Sequence, residues 1–235
     1  MDSKAVLFDM DGTLLPMDQA VFTKSYFKEL GKVLCPYGVE PDKLTAAVWA
    51  GTKDMIKNDG SRCNADAFWE KFCTLTGFAE DFARPICDNF YVTDFKKTKE
   101  FTSYSPLAVE AVKAVKEKGL RTALATNPLF PMSAQLVRLE WTGLKGENFE
   151  FMTSYETESY CKPNPEYYRT VCKKLGLAPE ECLMIGNDVE EDMIAASSVG
   201  MKCWLLTDCV VESENHVWDG PKGNFAETVE MIRSL

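Results

Sequence analysis

Short runs of mostly apolar residues divide the chain into predicted strands. Each run is bounded by polar or turn-forming residues, and the five clearest cover positions 5–8, 122–125, 149–152, 182–185 and 202–206. Short, mostly apolar runs of this length are typical of strands that are buried on both faces of a sheet. From about residue 100 onward the runs alternate with apolar positions at helical spacing. This alternation predicts an α/β fold, in which a parallel sheet is flanked by helices.

The first predicted strand is separated from the second by a long segment of different character. A crossover between parallel strands needs only about a dozen residues or somewhat more, whereas more than a hundred separate residues 8 and 122. Apolar residues recur at helical spacing within the excess: Phe22, Tyr26, Leu30 and Val33, then Phe68, Phe72 and Leu75. We therefore predict a small, mostly α-helical domain at residues 15–98, inserted into a core made of residues 1–14 and 99–235.

Paired carboxylates follow the first strand directly. Asp9 and Asp11 stand two residues apart, so both side chains point the same way. Gly12 lets the backbone turn sharply and approach a ligand closely. In an open parallel sheet, ligands bind beyond the carboxyl ends of the strands. Two neighbouring carboxylates repel each other, so a cation or a proton must compensate them. An ordinary acidic turn remains an equal interpretation of this motif taken alone.

Polar residues also follow the later strands, and together they indicate a phosphate and metal site. Thr126 and Asn127 offer a hydroxyl and an amide that can bond a phosphoryl oxygen, and Lys162 precedes a predicted helix start. Asp188 and Asp192 lie four residues apart and can face one crevice, and Mg²⁺ prefers such hard oxygen ligands. Taken alone, Thr126 with Asn127 could be an ordinary turn, Lys162 a solvated lysine, and the acidic pair a helix start. Their placement at successive strand ends favours the interpretation as a functional site.

In these motifs the chain resembles the haloacid dehalogenase superfamily, specifically its phosphatase branch with a helical cap inserted after the first core strand. The family's four motifs match residues 9–13, Thr126, Lys162, and Asp188 with Asp192. The resemblance spans nearly the whole chain and implies a Rossmann-like core with residues 15–98 as the cap. One position departs from the pattern: Asn187 stands where the fourth motif usually has a glycine.

The resemblance implies a role for each matched residue. Asp9 is expected to attack phosphorus and form an aspartyl-phosphate, and Asp11 to act as general acid and then general base. The phosphoryl oxygens are expected to be held by Thr126, Asn127 and Lys162.

The resemblance also implies a bound Mg²⁺ as the cofactor. Its expected ligands are Asp9, the backbone carbonyl of Asp11, and Asp188. Asp192 is expected to support this metal site through a water molecule or a hydrogen bond to a ligand. The implied activity is hydrolysis of a small phosphorylated metabolite by a phosphoric monoester hydrolase.

Two other functions stay open on the sequence. A phosphomutase of the β-phosphoglucomutase type uses the same core, but such mutases resemble one another in having a histidine and an arginine in the cap. The one histidine here, His216, lies outside the cap. A non-catalytic binding member of the family would be expected to have lost the acids of the first or fourth motif. Four cap residues are candidates to line the cleft, although most are expected to be structural: Lys53, Arg62, Trp49 and Trp69.

Composition narrows the class of partner. The formal net charge of −10 argues against nucleic acid or an anionic membrane as the main partner. There is no apolar run long enough to span a membrane, and residues 1–4 do not begin a secretory signal, so we expect a cytoplasmic protein. The nine cysteines are odd in number and form no CxxC pair, which predicts free thiols.

Overall fold

A single parallel sheet forms the centre of the computed structural model, which describes residues 3–235. Within those residues the sheet has six strands in the order β3-β2-β1-β4-β5-β6. The strands are β1 (Ala5–Phe8), β2 (Arg121–Leu124), β3 (Phe151–Met152), β4 (Cys182–Gly186), β5 (Lys202–Leu206) and β6 (Lys222–Gly223). The predicted parallel α/β architecture is confirmed. Five strands match the predicted runs to within one or two residues, and β6 was not predicted.

Helices cover both faces of this sheet. In chain order they are α1 (Gln19–Leu34), α2 (Pro41–Ile56), α3 (Asn64–Thr76), α4 (Glu80–Val92), α5 (Pro106–Glu117), α6 (Met132–Trp141), α7 (Pro165–Leu175), α8 (Ala195–Ser197) and α9 (Phe225–Ser234). A π-helical turn, Val189–Ile194, leads into α8. Over residues 3–235, no helix is both long enough and apolar enough to cross a membrane.

Burial on both faces explains why β1 is apolar throughout. Val6 and Phe8 belong to one apolar core, and Ala5 and Leu7 to the other. Each of these four side chains is at most 1% exposed. Because successive side chains of a strand point to opposite faces, a strand between two cores has no polar position. The first polar residue, Asp9, therefore stands where the strand leaves the sheet.

Local signals define where the site-bearing helix α7 begins and ends. The side chain of Asn164 accepts a hydrogen bond from the Glu166 N–H at 3.0 Å and caps the first turn. Pro165 occupies the first helical position, where its missing N–H costs nothing. Gly176, with φ of 64°, ends the helix in the left-handed conformation. These signals fix Lys162 just ahead of the helix.

Five helices lie between β1 and β2 in the chain, and the first four of them, α1 to α4, lie within residues 15–98. The apolar spacing that predicted two helices in this segment corresponds to α1 and α3, whereas α2 and α4 were not predicted individually. Aromatic side chains join the segment to the rest of the molecule: the rings of Tyr26 and Tyr91 lie 5.5 and 6.2 Å from that of Phe130. The helices therefore pack directly over the carboxyl ends of the central strands.

The nine cysteines are all free thiols. Five of them are buried: Cys87, Cys161, Cys172, Cys182 and Cys203. Burial raises the pKa of Cys87 and of Cys203 to about 12, so both thiols are held in the unreactive protonated form. The prediction that the cysteines form no disulfide framework agrees with this arrangement.

Candidate active site

One cavity of about 350 Å³ opens at the carboxyl ends of β1, β2 and β4. Residues predicted from separate strand ends line it together: Asp9, Asp11, Thr126, Asn127, Asp188 and Asp192. The chain connects β1 to neighbours on opposite sides, β2 and β4, so the cavity lies where the strand order reverses. This is the position at which ligands bind in open parallel sheets.

Lys162 ties two of these carboxylates together. Its Nζ donates to Asp9 Oδ1 at 3.0 Å and to Asp192 Oδ1 at 2.6 Å. The lysine side chain is 1% exposed, and a buried ammonium is tolerated only when it is paired in this way. An ammonium carries three donors, so one N–H remains for a further acceptor. Lys162, predicted as a phosphate ligand, is not among the residues of 3–235 that line the cavity, but it offsets the charge of two carboxylates that do.

Burial and neighbouring negative charge disfavour the ionised form of Asp9. Burial raises its pKa to about 7; Lys162 opposes this rise, while the neighbouring Asp192 and Asp11 add to it. Lys162 shows the converse: burial works to lower its pKa, but Asp192 and Asp9 hold it well above the ordinary value. Burial likewise raises the pKa of Asp188. The cavity floor therefore holds more negative charge than its buried lysine compensates.

Asp192 organises the loop that follows β4. Its Oδ2 accepts hydrogen bonds from the backbone N–H groups of Asn187 at 3.0 Å and Asp188 at 3.1 Å. The approach requires Gly186, because a Cβ there would lie 2.2 Å from the same oxygen. Asp188 Oδ1 in turn accepts from the Glu191 N–H at 2.7 Å and caps the π-helical turn. The buried Asp192 carboxylate therefore holds the backbone of this loop in place.

Asn187, the departure from the family pattern, joins two loops. Its Oδ1 accepts from the Thr13 hydroxyl at 3.0 Å, and its Nδ2 donates to the Cys209 carbonyl at 2.7 Å. The side chain lies against Gly12, where a Cβ would come within 2.2 Å of Nδ2. With φ of 86°, Gly12 also adopts a backbone conformation that favours glycine. The larger residue is therefore accommodated by the glycine of the first motif.

Arg138 is a site residue that the sequence analysis missed. It lies on α6, is 0% exposed, and forms an ion pair with Asp11 Oδ2. A second hydrogen bond joins it to Gln135, and its guanidinium carbon lies 4.4 Å from the centre of the Phe130 ring. Asp11 Oδ1 is buried and, among residues 3–235, has no hydrogen-bond partner. Arg138 therefore holds one oxygen of Asp11, while the other oxygen is buried and has no hydrogen-bond partner among the described residues.

Thr126 and Asn127 differ in how available they are. Within the described part of the chain the Thr126 hydroxyl makes no hydrogen bond, while its carbonyl accepts from Thr153 and Tyr167 at 2.7 and 2.9 Å. The Asn127 amide instead donates to Glu191 Oε2 at 2.9 Å. Burial raises the pKa of Glu191 to about 8. Glu191 lines the cavity and was not predicted, although it stands within the acidic run after β4.

Two of the four candidate cleft residues from the inserted segment line the cavity. Trp49 and Trp69 do so, whereas Lys53 and Arg62 are not among the lining residues within 3–235. Arg62 is ion-paired with Glu70 instead. The cavity wall contributed by this segment is therefore aromatic rather than basic.

His216 lies away from the cavity, as expected for a surface residue. Its side chain is 46% exposed, and Nδ1 lies 2.7 Å from Glu190 Oε2. It is not among the residues of 3–235 that line the cavity. An imidazole therefore takes no part in the arrangement around Asp9.

Comparison with known proteins identifies the family. Residues 3–200 match the haloacid dehalogenase-like hydrolases. The chain belongs to this family. The chain is 27% identical to a phosphoglycolate phosphatase from Aquifex aeolicus over 231 residues, which cover 97% of this chain and 96% of the relative. The predicted membership, including its phosphatase branch, is confirmed.

Solved structures of the family share the fold across the whole chain. The haloacid dehalogenase-type phosphatase from Thermococcus onnurineus superposes with a TM-score of 0.63 at 18% identity, covering 99% of this chain and 98% of that one. A Thermotoga maritima protein assigned as a beta-phosphoglucomutase gives a TM-score of 0.58 at 22% identity, covering 100% of both chains. At these identities the likeness concerns the fold alone, which phosphatases and mutases have in common.

Proposed function

We propose that the chain is a Mg²⁺-dependent phosphatase that hydrolyses a small phosphate monoester through an aspartyl-phosphate on Asp9. The observation that carries the proposal is the buried Lys162 ammonium, which joins Asp9 to Asp192 at the floor of a cavity also lined by Asp11 and Asp188. A phosphoryl group is the ligand that such a mixture of buried cation, hydroxyl and carboxylates suits.

The first step transfers the phosphoryl group to Asp9. One carboxylate oxygen of Asp9 is held by Lys162, and its other oxygen attacks phosphorus. The bond from phosphorus to the ester oxygen breaks, and Asp11 gives a proton to that oxygen so that it leaves as an alcohol. Asp11 Oδ1 is suited to this because it is buried at the cavity without a partner among residues 3–235.

The second step returns Asp9 to its starting state. Asp11, now a carboxylate, takes a proton from a water molecule that attacks the aspartyl-phosphate. The acyl phosphate is cleaved, inorganic phosphate leaves, and the Asp9 carboxylate is restored. The free N–H of Lys162 and the unpaired hydroxyl of Thr126 hold phosphoryl oxygens through both steps, whereas the amide of Asn127 must first release Glu191 to do so.

The residues present fit the implied magnesium ion. Asp9, Asp188 and the Asp11 carbonyl would hold it, and Asp192 would keep the loop in place through its bonds to the backbone. Bound there, Mg²⁺ supplies positive charge against the carboxylates and the incoming phosphate. Within residues 3–235 no three acidic, histidine or cysteine side chains form a ready cluster. Two carboxylates and a carbonyl match an ion that keeps several waters.

Residues 15–98 would act as the cap that encloses the substrate. Support comes from the share of the cavity wall that α1, α2, α3 and α4 provide, including Phe22, Trp49, Phe72 and Tyr91. An enclosing wall excludes water and strengthens the charge interactions at the cavity floor. Cap residues that line the cavity include neither histidine nor arginine over the described range, which favours the phosphatase over the mutase.

The test is phosphate release from p-nitrophenyl phosphate with Mg²⁺, with EDTA, and after Mg²⁺ is restored. We expect activity to vanish with the chelator and to return with the metal, because the crowded carboxylates repel the substrate without a cation. Full turnover in metal-free buffer would reject the proposal. A hexose 1-phosphate separates the alternatives: a mutase would form the 6-phosphate, whereas a phosphatase releases inorganic phosphate. A non-catalytic member would do neither.

A further inference from the structure

The wall of the cavity opposite the carboxylates is aromatic. It is formed by side chains of α1, α2 and α3, among them Phe22, Phe27, Trp49, Phe68 and Phe72. The rings contact one another: Phe27 lies 5.5 Å from Trp49, and Phe68 lies 5.5 Å from Phe72. With the phosphoryl group at Asp9, as proposed above, the alcohol portion of the ester would extend into the rest of the cavity. The leaving group would then contact this wall.

The same wall offers no positive charge. Over residues 15–98, all of which the structure describes, no lysine, arginine or histidine lines the cavity. Arg84 is held by Glu80 at 2.8 Å, and Arg62 by Glu70. The uncharged polar side chains that the segment contributes are few and include Gln19, Thr23 and Thr52. A charged group on the leaving alcohol would find no partner here.

The tyrosine hydroxyls of the wall are already engaged. Tyr26 and Tyr91 bond each other at 3.0 Å, and the Tyr155 hydroxyl accepts from Trp69 Nε1 at 3.2 Å. Rings whose polar atoms are engaged in this way present mainly apolar surface. The wall is therefore suited to an apolar ligand even where its residue types are polar.

The floor of the cavity would also repel a negatively charged group on the leaving alcohol. Five acidic residues line it: Asp9, Asp11, Asp188, Glu191 and Asp192. A carboxylate or second phosphate on the leaving group would lose its hydration beside these groups, a cost that is large unless the charge is paired. An uncharged apolar group instead gains about fourfold in binding for each methylene it buries.

We propose that this site takes phosphate monoesters whose leaving group is an uncharged, largely apolar alcohol large enough to occupy the aromatic wall. The proposal rests on the phosphatase function proposed above and names its substrate class. A cavity of about 350 Å³ accommodates the phosphoryl group together with an alcohol of several carbons or one ring.

The test compares primary alkyl phosphates, whose leaving oxygens are chemically alike. The series contains ethyl, n-hexyl and phenethyl phosphate, and n-hexyl phosphate with a terminal carboxylate. We expect kcat/KM for the hexyl ester to exceed that for the ethyl ester by on the order of 100-fold, from about fourfold for each of four added methylenes. The carboxylated ester should fall at least about tenfold below the hexyl ester, because its charge is unpaired.

Variants on α2 test whether the aromatic wall causes this substrate preference. Thr52→Lys places a cation in the cavity lining and should reverse the order of the hexyl and carboxylated esters. Ala46→Lys adds the same charge at an exposed position of the same helix outside the lining, and should leave the order unchanged. Trp49→Ala should lower kcat/KM for the hexyl ester about tenfold more than it lowers kcat/KM for ethyl phosphate. Trp49 is 52% exposed, so its truncation leaves the fold intact.

The outcomes separate this proposal from the one on which it depends. Equal kcat/KM for the ethyl and hexyl esters, or a wild-type preference for the carboxylated ester, would overturn the substrate class while the phosphatase stands. An unchanged order in Thr52→Lys would also count against it. Failure to release phosphate from every ester, p-nitrophenyl phosphate included, would overturn the phosphatase proposal itself and this one with it.

Discussion

Lys162 shows how one side chain can set the chemistry of a site. It is 1% exposed and bonded to two carboxylates, so removing its charge would leave both buried and unpaired. Even with Lys162 present, the pKa of Asp9 is raised to about 7, chiefly by burial. Lys162 therefore offsets only part of the effect of burial and of the neighbouring carboxylates on Asp9. The proposed Mg²⁺ would add a second positive charge beside this carboxylate.

Arg138 is the residue whose proposed role is most open to test by substitution. Arg138→Met should lower kcat for an alkyl phosphate by about 10- to 100-fold with little change in KM, because Asp11 loses the partner that orients its free oxygen. Arg138→Lys, which keeps a cation, should recover part of the loss. Steady-state kinetics measures both, and thermal unfolding checks that each variant is folded. Wild-type kcat in Arg138→Met would contradict the positioning role.

The sequence could predict some site residues and not others for a physical reason. Asp9, Asp11 and Asp188 follow apolar strands, and the carboxyl ends of parallel strands meet at one edge, so their convergence could be expected. The pairing of Arg138 with Asp11 joins positions 127 residues apart. It left only a weak local signal, a lone cation within the mostly apolar helix α6. Such a pairing depends on how the helix packs, which periodicity does not specify.

At the scale of elements, burial decided which strands could be predicted. The run of β1 is apolar because this strand is covered on both faces, as the 0% exposure of Val6 and Leu7 shows. Strand β6 is only two residues long, Lys222 and Gly223, and the lysine is exposed. An edge strand of this length and composition has no apolar run to detect.

Helix α4 was missed for a different reason. It contains Pro85 in its interior, a residue that removes a backbone donor and normally ends a helix. Ala83, Cys87 and Phe90 nevertheless lie buried along one side of it. Tertiary packing of this apolar stripe outweighs the local penalty, as it does in most short helices. Single-sequence propensity cannot weigh that packing.

The loop pair formed by Gly12 and Asn187 gives a prediction at this scale. Gly12→Ala would combine a positive φ with a Cβ 2.2 Å from Asn187 Nδ2. Gly38→Ala is the matched control, because Gly38 has φ of 97° and nothing within 4 Å of a built Cβ. The control should lose about 1–2 kcal/mol of unfolding free energy. Gly12→Ala should lose about 1–3 kcal/mol more, from overpacking.

Urea unfolding and phosphate release measure the two consequences separately. Activity should fall at least about tenfold in Gly12→Ala, because the loops carrying Asp11 and Asp188 would shift, and a shift of about 1 Å can cost 100-fold. Gly38→Ala should keep wild-type activity. If both variants lost the same stability and neither lost activity, the contact between Gly12 and Asn187 would have no part in the site.

At the scale of the whole molecule, the fold brings an acidic cavity floor and an aromatic cavity wall together. The switch point between β1 and β4 gathers acidic side chains, and the inserted helices close an aromatic wall over them. The chain as a whole carries a formal charge of −10, so long-range attraction does not draw an anionic substrate in. The groups that would attract the anionic substrate are therefore local ones, namely Lys162, Thr126 and the proposed Mg²⁺. The central claim is that this arrangement serves covalent catalysis by Asp9.

Trapping the phosphoenzyme tests that claim most directly. Asp11→Asn should still react with p-nitrophenyl phosphate and Mg²⁺, because p-nitrophenolate leaves readily without a proton. Hydrolysis of the intermediate needs the base that the variant lacks and should slow by about 10²–10⁴-fold. The nitrophenolate signal should therefore show a burst of one equivalent per site, followed by slow turnover. Mass spectrometry should then find a phosphoryl group on Asp9, in the tryptic peptide of residues 5–24.

The double variant Asp9→Asn with Asp11→Asn is the control and should give neither burst nor label. If the phosphoryl group were found on a cysteine or on His216, or if Asp11→Asn formed no phosphoenzyme while the wild type turned over, Asp9 would not be the nucleophile.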